Sequence, residues 1–384
     1  MAQGRWRWHR GVTVFVLLVL AAGAASCRPG AQEPIRLGLA INLSGQGGEA
    51  GEHIRAGSLL AVEEINARGG INGRPLQLLV EDDGNTEAGV VAADNRLIDA
   101  GVVAIIGHSF SANTLVAYPV VMARKTLLFT SFTATTELSD RDDLFCRTSV
   151  DNKLYGQALA SLLTARGIGS AAFLIDMSNA SFGEDLLAQT RLHYHGAVTA
   201  VRIDSKQGVD WETARARLMA DGPQAVVMLT EVAATGIGAQ KIRAGGYQGE
   251  LIATLWAQTP ELWQYGGSAV DGMTILTFIE AKNSRLAYQA FASALRKRFN
   301  RPATARSVRA YEAVEILAAA LRRCAANPTA EELKRQLVGA RFDTVMGGVA
   351  FNASCDVVRP VYEVRVRGQE FVTVGEVKIA GGAN

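Results

Sequence analysis

From Ile35 onward the chain alternates short apolar runs with helical stretches, and after about residue 153 the rhythm starts again. "IRLGLAI", "LQLLVED", "VVAII" and "TLLFT" read as strands. Between the first two, Ile54, Ala61, Val62 and Ile65 share one helical face, and Gly69 and Gly70 supply the stop; "TEAGVVAADNRLIDA" reads as the next helix. The second series runs through "SAAFLID", "AVTAVRI", "QAVVMLT" and "LIATLW", again with helices between. Strands separated by helices of about ten to fifteen residues need crossover connections, which build a mostly parallel sheet. After "GMTILTF" come two more helices and a segment in which Thr329 and Glu332 fit a capping box. The tail "YEVRVRGQEFVTVGEV" alternates apolar and polar residues around Arg367 and Gly368, the pattern of a hairpin added to one unit.

The first 27 residues stand apart. Arg5, Arg7 and Arg10 precede the uncharged run "VTVFVLLVLAAGAA", and small residues lead to Cys27, the three-part plan of an export signal. "AASC" resembles a lipoprotein box with Ala24 in the usual leucine position, so Cys27 is expected to carry lipid at the start of the mature chain. The whole sequence has a formal charge of +2, and removing three arginines leaves the remainder at about −1. Without a basic patch or basic helix, nucleic acid is excluded as an expected partner.

About 357 residues remain after that segment, beyond the size at which one core stops growing, so two lobes are expected. The expectation is an α/β fold of two doubly wound parallel-sheet lobes joined by hinge strands. Residues 33–152 with 283–358 form lobe 1, and residues 153–282 with 359–384 form lobe 2. Loops beyond the carboxyl ends of both sets of strands then face a common cleft. In an oxidising compartment Cys324 and Cys355 are expected to pair, leaving Cys146 buried and free; the spacings match no zinc pattern.

"VVAIIGHSFSANT" invites a second reading, because a strand running into G-H-S resembles the nucleophile elbow of serine hydrolases. Ser111 stands where the second glycine belongs. The base histidine of that fold class comes late in the chain, whereas His53 and His108 precede Ser109, and only His193 and His195 follow, too early for that topology. "GQGGEAG" does not spell G-x-G-x-x-G, and no phosphate loop, H-E-x-x-H or calcium loop occurs. No enzyme, cofactor or metal is expected.

The hydroxyl residues have a different use. "LLFTSFTATTEL" repeats the pattern of a strand entering small polar residues, and two adjacent parallel strands would bring Ser109, Ser111, Thr114, Ser131, Thr133 and Thr135 to one end of a sheet. With free N–H groups beside them they form a neutral cradle for a carboxylate that needs no lysine or arginine. The alternative is that they only cap helices and satisfy turns.

From about Ile35 to Glu376 the chain resembles the periplasmic Leu/Ile/Val-binding family, the type I solute-binding proteins of ABC transporters. "IRLGLAINLSGQGG", "AVEEINARGGINGRPL", "VVAIIGHSFSANT", "LLFTSFTATTELSD", "SFGEDLL", "GARFDTVMGGVAFN" and "VYEVRVRGQEF" carry the resemblance. It implies the type I periplasmic binding protein fold, and a ligand α-carboxylate held by Ser111, Thr133 and Thr135 with Ser109 nearby. Phe182 stands where the family has an aromatic, usually tyrosine, on the second lobe, and it lacks the tyrosine hydroxyl. For the family's ammonium-binding acid the alignment offers Gln258 or Glu261, and Glu231 is another candidate. The cleft loop and the region around "TEVAAT" lack the aromatics of branched-chain amino acid binders, so the expected ligand widens to an amino acid, an amide or an organic acid.

The resemblance further implies a monomer in the bacterial periplasm or envelope that closes on ligand by bending near Ser149 to Lys153, Glu280 to Asn283 and Arg359 to Tyr362. An ABC permease in the inner membrane would be its partner. The alternatives are a sensor subunit for a membrane receptor, an exported α/β hydrolase and a structural lipoprotein.

Overall fold

The computed structural model describes residues 33–44, 47–281 and 283–379. The export segment and Cys27 lie outside them, as do Lys282 and residues 380–384. "IRLGLAI" becomes β1 (Ile35–Ile41), buried at every position but Arg36, as a strand covered on both faces must be. The chain continues through α1 (Gly48–Ala67), β2 (Leu76–Asp82), α2 (Glu87–Asp99), β3 (Ala104–Gly107), α3 (Ser111–Ala123), β4 (Leu127–Thr130) and the short β5 (Phe145–Arg147). These strands form one sheet in the order β2-β1-β3-β4-β5, parallel throughout.

The second series gives α4 (Asn152–Ala165), β6 (Ser170–Asp176), α5 (Ala180–Arg191), β7 (Ala197–Ile203), α6 (Trp211–Met219), β8 (Ala225–Leu229), α7 (Val232–Ala244), β9 (Glu250–Thr254), α8 (Glu261–Gly266) and β10 (Thr274–Thr277). Then α9 (Leu286–Phe299), α10 (Ala305–Leu321), α11 (Ala330–Leu337) and a two-stranded hairpin, β11 (Arg341–Thr344) and β12 (Gly347–Ala350), return to the first sheet's side. The tail forms β13 (Tyr362–Arg367) and β14 (Glu370–Glu376), antiparallel strands that extend the second sheet to β14-β13-β10-β9-β8-β6-β7. The chain passes between the sheets after β5, after β10 and after β12, where the bending segments were expected.

Helix α10 is buried along its length except at Glu315 and Ala319. It lies against α1 so closely that a Cβ on Gly57 would stand 2.0 Å from the Ser307 carbonyl oxygen, so only glycine permits the approach. Thr304 caps α10 and Ser307 completes a reciprocal capping box. This fixes the residues on the first turns of α10 relative to the sheet.

Three local expectations are corrected. The disulfide joins Cys146 to Cys355, not Cys324 to Cys355, with Cα atoms 4.8 Å apart, and Cys324 is the free thiol. The turn at Asn352 to Asp356 folds back onto β5, where Arg147 N–H donates to the Cys355 carbonyl at 3.1 Å, and this brings together cysteines 209 residues apart. Thr329 does cap α11 by accepting from Glu332 N–H at 3.2 Å, but the Glu332 carboxylate accepts instead from Ala325 N–H at 2.6 Å, so the box is half made. Lastly, α1 begins at Gly48, six residues before Ile54, the first residue named on its expected apolar face, with Gly47 as its cap.

Candidate functional site

The strands β3 and β4 pair side by side, Ala104 with Leu127 through Ile106 with Phe129, and deliver both hydroxyl clusters to one end of the sheet. A Cβ at Gly107 would lie 2.3 Å from the Ala40 carbonyl oxygen, so the exit from β3 needs glycine. The next residue, His108, is fully buried between two carboxylates. Its Nδ1 is 2.7 Å from Asp83 and its Nε2 is 3.2 Å from Asp94. Burial opposes its charge, but hydrogen bonds to Asp83 and Asp94 outweigh that and hold the imidazole up at about 9. His108 is therefore a charged structural post beneath the loop.

Above it the two clusters bind each other. Ser111 Oγ accepts from Ala134 N–H at 3.2 Å. Thr133 Oγ1 lies 2.5 Å from Thr114 Oγ1 and 3.3 Å from Thr130 Oγ1, and Ser131 Oγ lies 2.8 Å from Thr148 Oγ1. Thr135 Oγ1 accepts from Glu137 N–H at 3.3 Å, while its carbonyl takes a 2.9 Å bond from Arg147. Ser111, Thr133 and Thr135 are all fully buried.

Over this floor, between the two sheets, lies a narrow inner chamber whose space outside the protein atoms, open solvent included, is about 470 Å³. Ser109, Ala134 and Ser149 reach it from the first sheet's side, and Phe182, Leu255 and Trp256 from the second. Ser109 is within 3.4 Å of the Asn42 N–H. Trp256 joins the two sides edge to face, 5.8 Å from Phe110 and 5.8 Å from Phe182. Further contacts cross the cleft: His53 to Glu261 at 3.2 Å, Lys206 Nζ to the Asn85 carbonyl at 2.8 Å, and Ala112 N–H to Asn179 Oδ1 at 3.1 Å.

Two arginines one helical turn apart, Arg306 and Arg309, project from α10 into the chamber wall. Arg306 Nη2 donates to the Trp256 carbonyl at 3.2 Å, and its Nε has no hydrogen-bond partner among the described residues. Arg309 sits over the rings of Phe132 and Phe278, at 4.8 and 4.3 Å, and neither its Nε nor its Nη2 has such a partner. Burial pulls the Arg306 guanidinium down to about 10, against the pull of Glu231 and Glu261. Burial, helped by Arg359 and Arg306, pulls Arg309 well below the ordinary arginine value.

A wider outer chamber, about 960 Å³ of space outside the protein atoms with open solvent included, adjoins the first and shares Trp256 and Arg306 with it. Glu231 lines it while capping α7 through bonds from Ala233 N–H at 2.9 Å and Ala234 N–H at 2.7 Å, and burial raises its carboxyl. Glu261 lines it too; burial works against its charge, but the His53 bond prevails and holds the carboxyl at about 2. Gln258 is buried outside both chambers. Thus Ser109 and Phe182 reach the inner chamber, Glu231 the outer one, and Ser111, Thr133, Thr135 and Gln258 neither. No group of three or more metal-ligating side chains occurs among the described residues.

A family model described as periplasmic binding protein matches residues 34–370. The chain belongs to the periplasmic binding protein family. A solute-binding role and a periplasmic setting follow from that membership. Among relatives of this periplasmic binding protein is the leucine-, isoleucine-, valine-, threonine-, and alanine-binding protein of Pseudomonas aeruginosa, 23% identical over 363 residues that cover 93% of this chain and 95% of the relative. A leucine binding protein from Thermotoga maritima has the same fold, with a TM-score of 0.83 at 20% identity over 90% of this chain and 99% of that one. So does a solute binding protein of an ABC transporter from Rhodopseudomonas palustris, solved with 3,4-dihydroxy benzoic acid, with a TM-score of 0.80 at 18% identity over 91% and 99%.

Sequence reasoning passed over Arg306 and Arg309 in this periplasmic binding protein. They stand in "ARSVRAYEAVEIL", which reads as an ordinary helix with charges for solvent. The available signal was that this helix is apolar on most faces, so charges three apart near its start have little solvent to point into.

Proposed function

We infer that the protein is the binding subunit of an ABC importer and holds a small carboxylate between two lobes that close upon it. The observation that carries this reading is the inner chamber itself, walled by Ser109 and Ala134 from the loops of β3 and β4 and by Phe182 and Trp256 from α5 and the loop after β9. A ligand touching both walls stabilises the closed arrangement by its differential contacts, and the three chain passages between the sheets supply the hinges. Each sheet with its helices is then one lobe, residues 33–152 with 283–358 and residues 153–282 with 359–379. Ser109 and Phe182 contact the ligand, while Ser111, Thr133 and Thr135 shape the floor. Glu231 and Glu261 line the way in.

The relatives that bind branched-chain amino acids and the fold neighbour with a dihydroxybenzoate support a small carboxylate as the ligand class. The closed form would be recognised by an inner-membrane permease, and lipid on Cys27 would keep a monomeric binder beside it. The test is thermal unfolding of refolded, ligand-stripped protein against amino acids, amides and organic acids, with small-angle scattering on each hit. A ligand at one hundred times its Kd raises stability by about 2.7 kcal/mol and lowers the radius of gyration. Absence of both changes across the panel defeats the reading.

A further inference from the structure

The inner chamber holds buried positive charge with no acid of its own. Arg306 is 7% exposed and Arg309 4%, and among the described residues none that lines the chamber is an aspartate or glutamate. The acid next along the helix, Glu312, is engaged elsewhere: its two oxygens take bonds of 2.6 Å from Arg359 and 2.6 Å from Thr344. Glu231 faces the outer chamber and holds the α7 cap, and Glu261 is bound to His53. Both arginines also stand on the first turns of α10, where the helix dipole is positive and cations are disfavoured. The rings of Phe132 and Phe278 offset part of the desolvation of Arg309, but a cation–π pair supplies less than removing a guanidinium from water takes away. What remains are N–H groups on Arg309 and Arg306 without partners among the described residues, on the wall of a chamber otherwise lined by aromatic rings, two small apolar or aliphatic side chains, and the neutral Ser109, Ser149 and Asn179. A zwitterionic amino acid would bring its ammonium into this positive field without a carboxylate to receive it.

We propose that the ligand is an organic anion with an apolar body and no ammonium group, its carboxylate received by Arg309 and Arg306 and its body packed against Phe182 and Trp256. The inference rests on the solute-binding reading and names the ligand class of that same chamber. It also accounts for Phe182: a ring without a hydroxyl suits an apolar body. Burial drives the Arg309 guanidinium downward, and an arriving carboxylate offsets that effect by favouring the charged form.

The test uses matched pairs that differ only in the ammonium: 3-phenylpropionate against L-phenylalanine, and 4-methylpentanoate against L-leucine, titrated calorimetrically into refolded, ligand-stripped protein. In at least one pair the acid without the ammonium binds about 100-fold more tightly or better. Arg309→Met keeps the packing on the two rings but removes charge and donors; it lowers that affinity by about 100-fold, as truncating one side of a buried charge contact does, and leaves the unliganded melting temperature unchanged or higher. Amino acids that bind as tightly as their partners in every pair that binds overturn the inference while the solute-binding reading stands. So does an Arg309→Met protein that keeps its affinity, or one that melts lower without ligand, which would make Arg309 a strut. Failure of both pairs while a neutral or cationic solute closes the protein also overturns the inference alone; failure of every solute removes both readings.

Discussion

The two sides of the inner chamber treat buried polarity in opposite ways. On the floor, Ser111, Thr133 and Thr135 are fully buried and each has a partner within the protein, and His108 beneath them is charged and held by two carboxylates. On the α10 side, Arg306 and Arg309 are nearly as buried and keep N–H groups without partners among the described residues. A satisfied network rigidifies the structure around it, whereas an unsatisfied one is a standing demand for a ligand. The residues most suggestive of binding in the sequence are thus those whose hydrogen bonds are already taken.

The largest predicted effect tests the floor's compensation. His108→Leu leaves Asp83 and Asp94 buried without their cation and should lower unfolding stability by about 3–5 kcal/mol in urea titration. The same group sets a pH dependence. Its folded value, about 9, lies above the ordinary histidine value of 6.5, so its contribution is complete below about 6.5 and is lost as pH rises through 9. The loss should approach about 3 kcal/mol in the wild type, and the difference between wild type and variant should shrink with it. A pH-independent difference over that window would break the account of a compensated floor.

Next comes the covalent tie on the floor's side. Replacing Cys355 by serine opens the Cys146 link across 209 residues and should cost about 2–5 kcal/mol, read as a lower melting temperature. Cys324→Ser should change little, and equal losses in the two variants would contradict the observed pairing.

A smaller effect sharpens the contrast itself. Ser111→Ala leaves the Ala134 N–H without its acceptor and should cost about 1–3 kcal/mol of stability, with the affinity loss smaller than for Arg309→Met. The opposite pattern, intact stability with affinity lost, would return Ser111 to direct ligand contact. The smallest effect belongs to the latch across the outer chamber: Glu261→Gln keeps an amide oxygen to accept from His53 in that buried contact, so it should weaken ligand binding by less than about tenfold.

Much of this was legible from residues alone. Continuous apolar runs separated by helical stretches required crossovers, and "IRLGLAI", "LQLLVED", "SAAFLID" and "AVTAVRI" are β1, β2, β6 and β7 residue for residue. The tail hairpin and its turn were equally readable from alternation. The three-residue β5 and the β11–β12 hairpin escaped, since such short strands show no period. The disulfide was misassigned because pairing depends on which turn folds onto which strand, and Cys355 lies far closer in sequence to Cys324 than to Cys146.

By itself, the sequence determined the periodicity, and with it the parallel sheets, the strand ends where hydroxyls gather and the family to which this periplasmic binding protein belongs. These depend on patterns local to ten or twenty residues. Only the tertiary structure decided which polar groups find partners. Arg306 and Arg309 lie some 170 to 200 residues beyond the hydroxyl clusters, and Gly57 brings their helix against α1. Whether a donor is satisfied depends on every neighbour in space, and burial is what turns an ordinary helical arginine into a site.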